Sequence, residues 1–381
     1  MRLLHTADWH LGKIVNEFSM IEDQAFILNQ LIDILKEQNI DLLIMAGDLY
    51  DRSIPPKEAV TLLNTFLSRV KKECDIPILM IAGNHDSNER LEFGTDLLAD
   101  AGFYIEGTFK PKTRKETFGD VSIYLMPFAD HIRVRHELGM EPEIKNLEEA
   151  IKVQIDNIIE DDEFNPNQKN ILIMHGYVIN QTIDSIEESE SERPLSIGTT
   201  EYVDASLFDA FDYVALGHLH KAQKVKRETI RYSGSPLKYS KSEANHLKKA
   251  FILDTALPGF GIEAVPLKPL RDMRIIKGKF TEIIQGESDD YVFFELEDTT
   301  YVMDAMTRLR KKYPNAMGIE YLNLQRKESV QQKKAAKDIR KLAVDELFKE
   351  FYEHYREQAL DEPRKAIVNQ VLDEIEREED Q

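Results

Sequence analysis

Cysteine is nearly absent: the chain carries one, Cys74, in 381 residues. A single thiol excludes an internal disulfide framework and any metal site built on several thiolates, and it fits a reducing cytoplasm. Long apolar runs are missing too. No stretch reaches the ~18 residues of a membrane-spanning helix, so no membrane attachment is expected. The N-terminus, Met1-Arg2-Leu3-Leu4-His5, reads straight into a strand, with neither a signal-peptide core nor transit-peptide character. No GxxxxGK[ST] loop occurs, which excludes a P-loop ATPase. Positive charge is in deficit, with 49 Lys and Arg against 69 Asp and Glu, a net charge of −20. Taken over the whole chain, that balance opposes binding to nucleic acid, which phosphate neutralisation dominates.

The charges segregate, however. Lys221, Lys224, Lys226, Arg227, Arg231, Lys238, Lys241, Lys248 and Lys249 crowd one stretch that holds only two acids, Glu228 and Glu243. A second basic run spans 326–341, while acid gathers in 160–163, 187–192 and 373–380. A basic segment on an acidic chain keeps a phosphate-backbone contact open. The other reading of 221–249 is a solvated basic hairpin.

Strands and helices alternate from the start. A strand over 2–7 precedes a helix over 20–37, whose Phe26, Ile27, Leu31, Ile34 and Leu35 recur at helical spacing. Leu42-Leu43-Ile44-Met45 is apolar without alternation, as a strand covered on both faces must be. Pro55-Pro56 opens a helix over 57–72. Ile78-Leu79-Met80-Ile81-Ala82 is the next strand, and a helix over 89–99 follows. Short connections between such elements argue for a parallel α/β sheet. Further strands fall within 102–128, at 171–175 and 212–216, and near 222–227, 229–232 and 250–255. A helix over 144–160 and a polar, acidic loop over 180–197 separate them. This count suits two packed sheets between helices. Residues 266–272 look like a linker to a small α/β cap, and beyond 326 the chain is helical and charged. The expected architecture is therefore α/β: two packed mixed β-sheets flanked by helices over 1–268, a capping domain over 269–325 and a C-terminal helical segment over 326–381.

Five strand ends present metal-ligand side chains: Asp8 with His10, Asp48, Asn84 with His85, His175, and His218 with His220. Singly, each suits a capping Asp or a structural His. Together, at ends that converge in a parallel sheet, they point to a functional site. Carboxylate, imidazole and amide oxygen without thiolate suit Mn²⁺, Fe or Zn²⁺. The donors are too many for one ion, whereas two ions about 3.5–4 Å apart would share a bridging carboxylate, for which Asp48 is placed centrally.

Asp8-x-His10, Gly47-Asp48-x-x-Asp51, Gly83-Asn84-His85-Asp86, His175 and Gly217-His218-x-His220 occur in the order of the calcineurin-like metallophosphoesterase superfamily, which this chain resembles. Within it, His5 to Lys13, Ala46 to Asp51 and Tyr232-Ser233-Gly234-Ser235-Pro236-Leu237 resemble the bacterial SbcD nucleases, counterparts of the Mre-type nucleases. The motif resemblance covers residues 1–255. It implies a four-layer sandwich with Asp8, His10, Asp48 and His220 on one metal and Asp48, Asn84, His175 and His218 on the other, Mn²⁺ being the expected ion. It implies too that His85 is not a ligand. An imidazole beside a ligand can face the leaving oxygen instead, so His85 is the candidate catalytic residue, with Asp51 or Asp86 as candidate orienters. Lys221, Lys224, Lys226, Arg227, Arg231 and Lys238 are the candidate contacts to the DNA backbone.

The activity implied is hydrolysis of DNA phosphodiesters, as a double-strand 3′–5′ exonuclease and a single-strand and hairpin endonuclease in repair, recombination and replication. The implied partners are DNA ends and hairpins, an SMC-type ATPase of the SbcC kind docking on the helical segment, and a second copy pairing through helices 57–72 and 89–99. Leu62, Leu63, Phe66, Leu91, Leu97 and Leu98 are the interface candidates, and core packing within one subunit is equally consistent with that stripe; a cytoplasmic, nucleoid-associated protein is expected. The competing reading is a phosphomonoesterase or protein phosphatase. Gly47-Asp48-x-x-Asp51-Arg52 resembles a phosphatase loop, but Asp86 stands where those enzymes typically carry glutamate.

Overall fold

The computed structural model describes residues 1–140, 144–182, 186–192, 202–257, 259–324, 352 and 364–365. Its contacts divide the chain into two compact units. The first comprises Met1–Ile276, Glu287–Phe294 and Met306–Gly318, and the second Lys277–Gly286, Glu295–Ala305 and Ile319–Gln381.

The first unit is built on two six-stranded sheets. One runs in the order Gly261–Pro266, Lys249–Asp254, Arg2–Thr6, Leu42–Ala46, Ile78–Ile81, Phe103–Glu106. Its last four strands are mutually parallel, with Leu4 opposite Leu43 and Met45 opposite Met80. The other runs Gln223–Val225, Arg227–Tyr232, Tyr213–Gly217, Lys169–His175, Val121–Met126, Arg114–Phe118, and its middle four strands are parallel.

Side-chain alternation makes the layers. In Leu42–Ala46, the residues Leu42, Ile44 and Ala46 join Leu79, Ile123, Ile171, Ile173 and Ala215 in a core between the sheets. Leu43 and Met45 point the other way, against Ile27, Leu31 and Leu35 of helix Ile21–Glu37 and Leu63, Phe66 and Val70 of helix Lys57–Glu73. On the far side, Leu172, Met174 and Val214 meet Ile151, Ile155 and Ile158 of helix Leu147–Glu160. The Asn146 side chain caps that helix by accepting from Glu149 N–H at 2.9 Å. Both sheets are thus covered on two faces, which is why their strands read as unbroken apolar runs. Each fully buried Leu or Ile contributes roughly 1.5–3 kcal/mol.

Three expectations change. The helix expected over 89–99 is two short ones, Asn88–Glu92 and Thr95–Ala99, separated by Gly94 at φ +77°. Leu63 and Phe66 are core residues, 5% and 2% exposed, and Phe66 packs edge-on against the buried Trp9 ring. They are not interface side chains; Phe93 and Leu97 are exposed instead. Strand Gly261–Pro266 lies in a stretch not read as structured; it is an edge strand, and its closing proline suits that position. A separate three-stranded sheet has the order Met273–Gly278, Tyr291–Leu296, Ala316–Tyr321. Residues 326–351 and 353–363, with the apolar stripe from Leu342 to Phe351, and the helix expected around Ile367 to Ile375, lie outside the described residues.

Candidate metal centre

Parallel strands of both sheets end at one place, and the close approach is set by glycine. A Cβ on Gly217 would lie 1.8 Å from the Ala46 carbonyl oxygen, and one on Gly47 would lie 2.3 Å from His175 Nδ1. Only hydrogen fits at these positions, so the ends of Leu42–Ala46, Lys169–His175 and Tyr213–Gly217 can meet. The side chains just beyond them are strained into position. Asp8, His10, Asp48 and His218 have left-handed φ values of +56°, +46°, +52° and +115°. Such backbone costs about 1–3 kcal/mol per residue, and it clusters where function holds it.

Asp48 stands at the middle. Its Oδ1 accepts from His85 N–H at 2.9 Å, which leaves Oδ2 facing two imidazoles. Oδ2 lies 3.6 Å from His10 Nε2 and 3.5 Å from His175 Nε2. On the first side, His10 Nε2 and His220 Nε2 are 2.9 Å apart. Asp8 Oδ1 accepts from His218 N–H at 2.7 Å, while Asp8 Oδ2, fully buried, finds no hydrogen-bond partner among the described residues. On the second side, Asn84 Oδ1 lies 3.0 Å from His175 Nε2 and 3.3 Å from His218 Nδ1. All seven residues read from the sequence as metal ligands are therefore in one cluster.

The donor chemistry fits a cation. His175 Nδ1–H donates to the Ala46 carbonyl at 3.0 Å, so its Nε2, facing Asn84 Oδ1 and Asp48 Oδ2, calls for a positive charge there, a proton or a metal ion. Lone pairs that converge at this distance repel unless a positive charge lies between them. The titration tendencies agree. Burial holds His10, His218 and His220 below the usual histidine range, and it drives the Asp8 carboxyl up. Burial would also raise Asp48, but the His175, His10 and His85 rings outweigh it and hold that carboxyl well below its ordinary value. Burial opposes charge on His175, yet Asp48 and Asp8 win and lift it to about 9. The protein thus draws a proton toward the place where two carboxylates and several neutral imidazoles converge, as a cation site does. Asp8, His10 and Asp48 offer ligand atoms within 4.8 Å of one another, as do His10, Asp51 and His85.

His85 sits at the edge of this cluster, its ring 4.6 Å from that of His10. Its Nδ1–H donates to the main-chain carbonyl of Asp51 at 2.8 Å. Asp51 therefore orients the ring through its backbone, while its carboxylate takes Lys13 Nζ at 2.8 Å. The Asp86 carboxylate is not on the ring at all. It accepts from the main-chain N–H groups of Leu49, Tyr50 and Gly83 at 3.1, 2.9 and 3.0 Å, tying two strand ends together.

The six basic candidates for DNA are all engaged within the protein. Lys221 pairs with Glu187, Lys224 with Glu228, and Lys226 with Asp209. Arg227 donates to the carbonyls of Phe208 and Phe211. Arg231 pairs with Glu228 and lies over the Phe251 ring, and Lys238 holds Asp272 and the Ala244 carbonyl. Arg231 and Lys238 are nearly buried, so structure accounts for them. Sequence reasoning missed Glu243, Lys248, Ser191 and Glu192, which surround His220. The available signal was Glu243 itself, one of two acids among nine cations.

This constellation of buried carboxylates and imidazoles at the strand ends of a layered α/β unit defines a hydrolase of the metallophosphoesterase class. Residues 1–222 match the family described as Calcineurin-like phosphoesterase, and residues 269–356 match Type 5 capsule protein repressor C-terminal domain. The SbcD subunit of the nuclease SbcCD from Staphylococcus epidermidis is 34% identical over 379 residues, spanning 98% of this chain and 99% of the relative. Among solved structures, a dimetal phosphatase from Danio rerio is 12% identical, with a TM-score of 0.39, covering 70% of this chain and 99% of that one. The chain belongs to the calcineurin-like phosphoesterases, a family of divalent-metal enzymes, and within them to the SbcD nucleases.

Proposed function

We propose that the chain is the nuclease subunit of an SbcCD-type complex and hydrolyses DNA phosphodiesters. Its actions are those of a double-strand 3′–5′ exonuclease and a single-strand and hairpin endonuclease, in repair, recombination and replication. The observation that carries this reading is Asp48 Oδ2, placed 3.6 and 3.5 Å from imidazole nitrogens of two separate donor sets. Asp8, His10, Asp48 and His220 would hold one divalent ion, and Asp48, Asn84, His175 and His218 a second. The oxygen and imidazole donors suit Mn²⁺. When bound, such a pair lowers the pKa of water and neutralises phosphate oxygens.

The protein's own groups do the rest. Asp48 Oδ1 is fixed by the His85 N–H, so its other oxygen cannot turn away. The Asp51 carbonyl occupies His85 Nδ1–H, which leaves Nε2 as the atom to meet the leaving oxygen. Lys224 and Lys226 are exposed and Lys221 is partly covered, and each would reach a DNA backbone by exchanging a carboxylate for a phosphate. The relative is named for the SbcCD complex, which supports an SMC-type ATPase of the SbcC kind as partner, docking on residues 326–381. The capping domain over 269–325 would take part in DNA recognition. Exposed Phe93 and Leu97 support pairing with a second copy through 89–99. We place the protein in the cytoplasm, on the nucleoid; no helix among the described residues is long and apolar enough to cross a membrane.

The test is turnover with Mn²⁺ on a linear duplex, a DNA hairpin and p-nitrophenyl phosphate, with and without the ATPase partner. Cleavage of both DNAs is expected. Rapid monoester hydrolysis with both DNAs intact would make the phosphomonoesterase reading correct instead.

A further inference from the structure

We propose that Glu243 and Ser191 are positioning residues for the metal centre, fixing the tautomer of His220 through a two-step proton relay. This rests on the reading above that His220 is a metal ligand. Glu243 is fully buried in the stretch richest in cations. Its Oε1 lies 2.5 Å from Ser191 Oγ, 3.2 Å from Ser240 Oγ and 3.3 Å from His220 Nδ1. Its Oε2 accepts from Lys248 Nζ at 2.5 Å. Lys248, itself buried, also donates to the His220 carbonyl at 2.8 Å and to Ser235 Oγ at 2.7 Å. One buried ion pair therefore grips His220 by its ring and by its main chain.

The direction of the protons follows from the donor inventory. A carboxylate facing an ammonium only accepts, so the Ser191 hydroxyl donates to Glu243. Ser191 Oγ, 2.6 Å from His220 Nδ1, then accepts the ring's Nδ1–H, with Glu243 Oε1 a longer second acceptor at 3.3 Å. Nδ1 is thereby the protonated nitrogen, and the Nε2 lone pair is turned toward His10 and the cluster. A neighbouring carboxylate that fixes the tautomer of a ligating imidazole raises its basicity and holds its orientation.

The segment carrying Ser191, expected as an acidic loop, is one wall of this cage. Glu192 Oε1 accepts from His220 N–H at 2.6 Å, and Glu190 N–H donates to Ser242 Oγ at 3.0 Å. Ser191 lies 29 positions from His220 and 52 from Glu243. Metal affinity therefore depends on a serine that ligates nothing.

The experiment uses the full chain, with Mn²⁺ uptake followed by electron paramagnetic resonance and the His220 ring followed by long-range ¹H–¹⁵N correlation in metal-free protein. Ser191→Ala removes the relay and keeps the buried ion pair, so it folds even where Glu243→Gln alone does not. Glu243→Gln with Lys248→Met removes both charges together. The expected result is a loss of Mn²⁺ affinity of about 10–100-fold, with a His220 ring that no longer holds its proton on Nδ1 alone. Ser191→Thr restores both readouts. Wild-type affinity and a wild-type tautomer in folded Ser191→Ala and in the double variant would overturn the inference. Failure of the metal reading is distinguishable: wild type would then take up no Mn²⁺, while the tautomer still decides whether Ser191 and Glu243 set the ring.

Discussion

His5 gives the first unit a pH dependence of known sign. The residue is completely buried in strand Arg2–Thr6, and its Nδ1 lies 3.0 Å from the Tyr213 hydroxyl of the other sheet. Burial first, and the Arg231 charge second, lower its pKa from 6.5 to about 3. The folded protein thus keeps a neutral ring where the unfolded chain would take a proton. The associated stability is fully present above the unfolded value and falls as the pH drops through 6.5 toward about 3. Between pH 7 and pH 5 only the unfolded state titrates, and at 1.36 kcal/mol per pH unit the loss is about 2 kcal/mol. Other groups titrate in the same window, so the measurement is a difference. Urea unfolding of wild type and His5→Asn is followed at both pH values. His5→Asn costs stability at pH 7 through lost packing, and the gap between the two proteins should narrow by about 2 kcal/mol at pH 5. A gap that does not change with pH would show that the folded ring takes up a proton as readily as the unfolded one, and would refute the argument from burial.

Two further predictions concern the centre. Gly217→Ala places a Cβ 1.8 Å from the Ala46 oxygen, and neither strand end has a flexible side chain to give way. It should cost about 3 kcal/mol, the upper end of ordinary overpacking, seen as a lower melting temperature, and should weaken metal uptake because the Ala46 carbonyl orients His175. His85→Ala should lower DNA cleavage by about 10²–10⁴-fold while elemental analysis finds the wild-type metal content; loss of metal would make His85 a ligand.

The strand ends were legible because two local signals coincide there: an unbroken apolar run, then a liganding side chain, often with glycine between. Leu42–Ala46 followed by Gly47-Asp48 is the clearest case, and both sheets could be inferred from such runs. Helix Ile21–Glu37 was legible from its stripe. The break at Gly94 was not, because Leu91, Leu97 and Leu98 keep helical spacing across it. Helix His131–Leu138 escaped notice for the opposite reason: it buries only Val134 and is defined by its ends, the Asp130 cap and Gly139. The cage around His220 was invisible in sequence because Ser191 and Glu192 reach it from 28 to 52 positions away. The pairing within the basic stretch was hidden for a related reason. Composition counts charges, whereas pairing with Glu187, Glu228 and Asp209 decides which of them face a ligand.

Whether Asp48 joins two metal ions is read from the metal content of the chain. Wild type and Asp48→Asn are loaded with Mn²⁺, freed of excess and counted by elemental analysis, with electron paramagnetic resonance reporting coupling between ions. Wild type should hold about two coupled ions per chain, and Asp48→Asn should lose both with its fold intact by circular dichroism. A wild-type chain holding a single uncoupled ion, or an Asp48→Asn chain that keeps both, would contradict a bridging Asp48.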